Sequence, residues 1–205
     1  RMDNDPFFIM SARNNTVYSY NAHGFAVKGW SSKKFDSKIL FPAASLMSQD
    51  KSYIGLYDSE KNFSIYDDAG RFVAKWDVVG SLSEPPIGIS NRGRGFFLLQ
   101  LSSGKTMKCY VDGIVEIKSY ALSNSSQELV KYNANNDIDE EWAIRSGNDL
   151  ALYSSIYKTG ELRLPCAPDT TYSVAIDYNN TQGIATLCKT QKQGYLWTTK
   201  GRLSS

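Results

Sequence analysis

The sequence predicts an all-β repeat protein, and three observations carry that expectation. The stretch VYSYNAHGFAVKGW, from Val17 to Trp30, returns 46 residues later as FSIYDDAGRFVAKW, from Phe63 to Trp76. Aromatic residues make up 13% of the chain, with thirteen tyrosines, and Asn, Ser and Gly are plentiful, which suits short strands joined by tight turns. Alternation recurs throughout: Val17, Ser19 and Asn21 fall on one face of their segment, Tyr18 and Tyr20 on the other. No segment holds a 3.6-residue period over twelve residues.

Laid over each other, the two copies align without a gap. Phe7-Phe8-Ile9-Met10 meets Tyr53-Ile54-Gly55-Leu56, Tyr20 meets Tyr66, Asn21 meets Asp67, Gly24 meets Gly70, and Trp30 meets Trp76. Each copy reads as an apolar strand, a polar turn, a second strand, a turn closing on Gly, and a third strand ending in Trp. Glycine after Asx is the expected turn chemistry, because it takes positive φ without steric cost. A period of this length is that of a four-stranded propeller blade.

Degenerate copies follow. IGISNRGRGFFLLQLSSGKTMKCYVDGIVEIKSY reads as four strands with Gly-bearing turns, and FFLLQL is apolar on both faces, as a strand sandwiched between sheets should be. A fourth unit has strands around ELVKYN, EWAIRS, LALYSSIY and ELRLPC; a fifth has YSVAIDY, GIATLCKT and GYLWTT. The expectation is a single β-propeller-like domain of about five four-stranded blades, with units at 6–30, 39–78, 86–120, 128–166 and 172–200. The first unit is expected to lack its inner strand and the last its outer one. Such an array either closes imperfectly or belongs to a larger propeller; a β-sandwich of hairpins is the alternative fold. The stretch AASLMSQDK, after Pro42, reads as either a short helix or a strand and turn.

At 205 residues the chain is long enough to bury a sizeable core, and its formal charge of +2 gives no global field to draw nucleic acid or an acidic membrane. No apolar run is long enough for a membrane helix, and RMDNDPFFIM lacks a signal-peptide pattern. A start at Arg1 is read as a mature form or an excised fragment. Cys109, Cys166 and Cys188 are too few for a disulfide framework or a CxxC site and are expected as small buried strand residues, with one pair free to bridge under oxidising conditions. Their odd number favours a reducing compartment. Four N-x-[ST] sequons, at Asn14, Asn62, Asn124 and Asn179, are candidate glycan acceptors and favour secretion. The expected compartment is the cytoplasm, ahead of secretion.

Catalytic patterns are thin. The one histidine, His23, stands in the turn before Gly24, where a solvated role is expected, and one His with scattered cysteines leaves no zinc or iron ligand set. No G-x-S-x-G elbow is present. SNRGRGFF leads into a strand, not a helix, so it is a turn with two exposed arginines rather than a phosphate cradle. LSSGKT lacks the first Gly of a Walker motif and reads as a hairpin. The run Asp137 to Glu141 carries carboxylates of the kind that bind calcium, but without EF-hand spacing it is expected to be a solvated loop. No cofactor is expected. Lys33, Lys34 and Lys38 form the densest basic patch, and with Arg13 they line one rim if the loops after the second and fourth strands of each blade share a face. That makes a landing site for an acidic partner segment.

The segment from Ile65, IYDDAGRFVAKW followed by PPIGISNRGRGFFLLQLSSGKTMKCYVDG, resembles the N-terminal propeller of the class C vacuolar sorting subunits of endolysosomal tethering complexes. The resemblance rests on Tyr, Gly and Trp marks and an Asp-Gly turn, and departs at Ser103-Gly104, where that family tends to Asp-Gly. It implies a protein-docking role within a longer chain. The expectation is therefore a non-catalytic scaffold that docks another protein through its loops, within a larger assembly. A carbohydrate-binding propeller that stacks sugars on Tyr and Trp is the first alternative, and a hydrolase with dispersed carboxylates the second.

Overall fold

The computed structural model describes residues 7–28, 30, 33–119, 127–135, 137–154, 157–166, 168, 170–175, 182–188, 192–198 and 201–204. Every regular element among them is a strand. The first sheet holds β1 (Phe7–Ser11), β2 (Thr16–Asn21) and β3 (Lys33–Lys34); the second holds β4 (Ala44–Ser48), β5 (Lys51–Tyr57), β6 (Asn62–Asp67) and β7 (Phe72–Asp77). The third holds β8 (Ile87–Ile89), β9 (Phe96–Gln100), β10 (Thr106–Tyr110) and β11 (Val115–Lys118). The fourth holds β12 (Gln127–Tyr132), β13 (Glu141–Ser146), β14 (Asp149–Tyr153) and β15 (Lys158–Arg163), and the fifth β16 (Thr170–Ala175), β17 (Gln182–Cys188), β18 (Gln193–Thr198) and β19 (Gly201–Ser204). Each sheet is an antiparallel meander in chain order, so the stretch AASLMSQDK is a strand and turn, not a helix.

The four full sheets present their first strands to one another in series, β4 against β8, β8 against β12, and β12 against β16. The arrangement is that of blades around an axis, with first strands innermost. Side chains alternate accordingly. In β9, Phe97 and Leu99 face the second sheet while Phe96 and Leu98 face the fourth, and all five residues are buried. Close approach near the axis requires Gly88, where an added Cβ would collide with the Ser45 carbonyl of the neighbouring inner strand.

The repeat extends to individual hydrogen bonds. Asn21 Oδ1 accepts from the His23 and Phe25 amides at 3.1 and 2.9 Å; 46 residues on, Asp67 Oδ1 accepts from Ala69 and Arg71 at 3.1 and 2.8 Å. Gly24 and Gly70 close these turns at φ 81° and 72°. Beyond Gly24 the copies part. Trp76 lies in β7 and stacks on Phe63, whereas Trp30 lies outside any strand. Among the described residues, a bridge at Tyr20 and Ala26 marks the expected third strand, and β3 forms later, with Lys33 opposite Val17 and Lys34 opposite Thr16.

Two unit boundaries therefore move. The first unit runs past residue 30 to include β3, and the last gains an outer strand, β19, in place of the expected three. Among the described residues the first sheet begins with β1, the counterpart of β5 at the second blade position. No helix among the described residues is long and apolar enough to cross a membrane.

Candidate functional site: the loop rim of the first two blades

Two turns and one connection build this rim. The β1–β2 turn carries Arg13 and Asn14 and is closed by Ala12 N–H donating to the Thr16 carbonyl at 2.8 Å. Asn15 takes φ 62° there, as its repeat counterpart Lys61 does in the β5–β6 turn at φ 66°. The connection from β3 to β4 is pinned to both turns. Phe35 N–H donates to the Asn15 carbonyl at 2.8 Å, Ser59 N–H to the Lys38 carbonyl at 2.8 Å, and Ser37 Oγ to Asp58 Oδ2 at 2.7 Å.

Arg13, Lys34 and Lys38 are all exposed on these segments and form no salt bridge among the described residues. Lys33 is different. Its ammonium lies 4.2 Å from the Tyr66 ring centre and 5.7 Å from that of Trp30, and it donates to the Gly70 carbonyl in the β6–β7 turn of the next blade. Burial lowers its pKa, and the Asp67 carboxylate offsets part of that. Lys33 is thus an interblade contact, and the rim retains three of the four expected cations. Sequence reasoning missed Lys61, exposed in the turn equivalent to that of Arg13, although the 46-residue shift points to it. Asp36 and Glu60, also exposed there, make the rim mixed in charge.

Asn14 is exposed, with Oδ1 accepting from Thr16 N–H at 3.2 Å. Asn62 is buried, and its amide nitrogen donates to Asp58 Oδ2 at 3.2 Å, so a glycan has no room there. Asn124 and Asn179 lie outside the described residues.

The other motifs resolve into structure. His23 is exposed in its turn. Arg94 is not a free turn arginine: it pairs with Asp112 through two hydrogen bonds, 2.7 and 3.1 Å, and lies over the Tyr110 ring. Gly104 turns the β9–β10 hairpin and Thr106 is buried, donating to Gln100 Oε1. The acidic run is a latch between blades. Glu140 Oε2 accepts from Ser90 N–H and Asp139 Oδ1 from Arg92 N–H, each at 2.7 Å, while Lys131 pairs with Glu140 at 3.1 Å. Glu141 accepts from Ala134 N–H, and burial raises its pKa. No group of three or more metal-ligating side chains occurs among the described residues.

Trp30 and Trp142 are fully buried, Trp197 is 7% exposed and Trp76 is half-buried against Phe63, whereas Phe8, Phe25, Phe72 and Tyr157 are exposed. Cys166 and Cys188 are disulfide-bonded across the fourth-to-fifth blade boundary, while Cys109 is free and buried.

No protein-family model matches the chain, and no curated protein matches it; the resemblance to class C vacuolar sorting subunits has no sequence-family support. Solved structures do match. The chain is similar to BBS1N, solved in complex with ARL6DN, at 14% identity and TM-score 0.63, over 96% of this chain and 64% of that one. It is similar to BamB from Moraxella catarrhalis at 12% identity and TM-score 0.60, over 94% and 58%. A catalytically inactive virginiamycin B lyase from Staphylococcus aureus, solved with quinupristin, matches at 11% identity and TM-score 0.62, over 98% and 69%. The chain spans less than two thirds of the first two. At these identities the likeness establishes the fold, and the chain is an all-β, β-propeller-like array.

Proposed function

We propose that this chain is a non-catalytic scaffold that docks another protein through the rim bearing Arg13, Lys34 and Lys38. The observation that carries the reading is the placement of three exposed cations, without a salt bridge among the described residues, on segments joined by the Phe35–Asn15 and Ser59–Lys38 backbone bonds. Rigid positioning lowers the entropy lost on binding, and exposed cations steer an acidic segment to the rim. Two propellers of similar fold support it: BBS1N was solved bound to ARL6DN, and BamB shares the architecture. Class C vacuolar sorting subunits, to which the stretch from Ile65 bears a resemblance, would imply the same kind of role.

The test is a pull-down with the whole chain as bait, washed first with free sugars and then with denaturant, alongside an Arg13→Glu/Lys34→Glu/Lys38→Glu variant of equal thermal stability. One protein that survives the sugar wash on the wild type and is lost from the variant supports the rim. Equal retention by both overturns it, and glycoproteins released by sugar would favour the carbohydrate-binding alternative. Turnover of a glycoside or ester by the pure chain would favour the hydrolase.

A further inference from the structure

Neighbouring sheets meet through four apolar clusters, and the joint between the fourth and fifth sheets is crossed by the Cys166–Cys188 disulfide. Cys188 ends β17, and Cys166 lies on the connection from β15 to β16. That connection is fixed to the fourth sheet two residues earlier, where Leu164 N–H donates to the Asn148 carbonyl, between β13 and β14, at 2.7 Å. The sulfur bridge therefore runs from the fifth sheet to a segment anchored on the fourth. With three cysteines in the chain, no other joint can hold such a bridge, and Cys109 sits in the cluster between the second and third sheets.

Beneath the bridge, the packing works against closure. Three buried hydroxyls have no hydrogen-bond partner among the described residues, those of Ser19, Tyr132 and Thr171, and two of them fall in this joint. Tyr132 of β12 belongs to the joint's cluster, with Leu150, Leu152, Ile184 and Trp197. Thr171 of β16 stands directly opposite Thr186 of β17, so the two share a face. Thr186 alternates with Ile184 and Cys188, both in that cluster, so the face is the one turned to the fourth sheet. A hydroxyl that gives up water without a replacement bond destabilises the state that buries it. Opening the joint returns both hydroxyls to water; the covalent bond holds it shut.

We propose that the Cys166–Cys188 bond is a redox-sensitive clasp, which a dithiol reductant opens to release the fifth sheet from the fourth. Cys166 is 8% exposed and Cys188 1%, so attack falls on Cys166 Sγ. One thiolate of the dithiol bonds to that sulfur, the S–S bond breaks, and Cys188 leaves as a thiolate that takes up a proton. The second thiolate of the reductant then displaces Cys166, which is protonated in turn. The dithiol supplies both electrons and both protons and ends as its own disulfide, while the chain gains two thiols. Release frees the chain between residues 22 positions apart and uncovers Leu150, Leu152, Ile184 and Trp197. The clasp joins the fourth and fifth sheets and the cationic rim lies on the first two, so neither reading depends on the other.

The test is amide exchange on the whole chain at neutral pH, with and without dithiothreitol, alongside alkylation to count thiols. Reduction is expected to quicken exchange at least about tenfold in β17 and β18 while β5, β6 and β9 stay unchanged, and reoxidation to restore the slow rates. A Cys166→Ser/Cys188→Ser variant is expected to match the reduced chain and to ignore dithiothreitol. In the reduced chain, Tyr132→Phe removes one orphaned hydroxyl and is expected to recover part of the lost protection in β17 and β18. Three labelled thiols in the unfolded, unreduced chain overturn the proposal, as does a bond that dithiothreitol leaves intact in the native chain. So does full reduction that leaves β17 and β18 as slow as before, or that quickens all five sheets alike.

Discussion

The Lys33 ammonium stands 4.2 Å from the centre of the Tyr66 ring, in the next blade, while Lys34 beside it points to solvent. Adjacent strand residues face opposite ways, so two lysines that look alike in sequence have separate roles. Lys33→Ala is expected to lower stability by about 1–2 kcal/mol through the lost cation–π contact, whereas Lys34→Glu should stay within about 0.5 kcal/mol of wild type. Urea denaturation of the two variants checks the split.

Lys108 carries a pH signature. It is 5% exposed, with its ammonium 4.6 Å from the Phe96 ring centre and 4.9 Å from that of Trp142. Burial lowers its pKa from 10.5 to about 8, with Lys118 adding to the shift and Glu116 opposing it. Below pH 8 both folded and unfolded chains hold the proton, and the folded state bears the desolvation cost. Between about 8 and 10.5 only the unfolded chain holds it, so raising the pH through this window favours folding. Stability should rise there, and Lys108→Met should remove that rise, as read from denaturation midpoints at several pH values.

Glycines within the strands are not equivalent. Gly88→Ala forces a Cβ into the Ser45 carbonyl and is expected to cost about 3 kcal/mol, because backbone must shift. Gly160→Ala in β15, where the nearest atom would be Leu152 Cδ1 at 3.8 Å, should instead raise stability by about 0.5 kcal/mol. Melting temperatures of the pair give the comparison.

The acidic latch predicts a local effect. Glu140→Ala leaves Ser90 N–H without its charged acceptor and Lys131 without its partner, at an expected cost of about 2 kcal/mol. Hydrogen exchange should quicken at Ser90 and Arg92 ahead of the rest of the third sheet.

Thiol labelling separates the three cysteines. Native chain is expected to resist alkylation, since Cys109 is buried and its pKa is pushed up by desolvation. Unfolded without reductant, one cysteine per chain should label; with reductant, three. Reduction of the native chain should cost about 3 kcal/mol, given the 22-residue separation of Cys166 and Cys188. Two labels in the unreduced unfolded chain would be inconsistent with any single bridge.

Much of the fold was legible because turn chemistry is local. Asn21 and Asp67 make the same Asx bonds within four residues, so a shifted alignment finds them. Trp30 was misplaced because its position is set by another blade: it is fully buried and its indole donates to the Asp67 carbonyl at 3.1 Å. The strand β19, GRLS, carries too little alternation to announce itself and is defined by pairing with β18. At the rim, alternation opposite Val17 would have turned Lys33 inward, but the strand that holds it was not visible in sequence. The acidic run was readable as carboxylates and not as a latch, since its acceptor role depends on amides some 50 residues away.

The buried clusters lie between sheets rather than within any one of them: first with second, second with third, third with fourth, fourth with fifth. Cohesion is therefore distributed like the joints of a chain of links. Among the described residues, a terminal sheet shares one such joint and a middle sheet shares two. Loss of structure should accordingly begin at the ends and travel inward, with the sheet that contains Phe96 to Gln100 the last to let go.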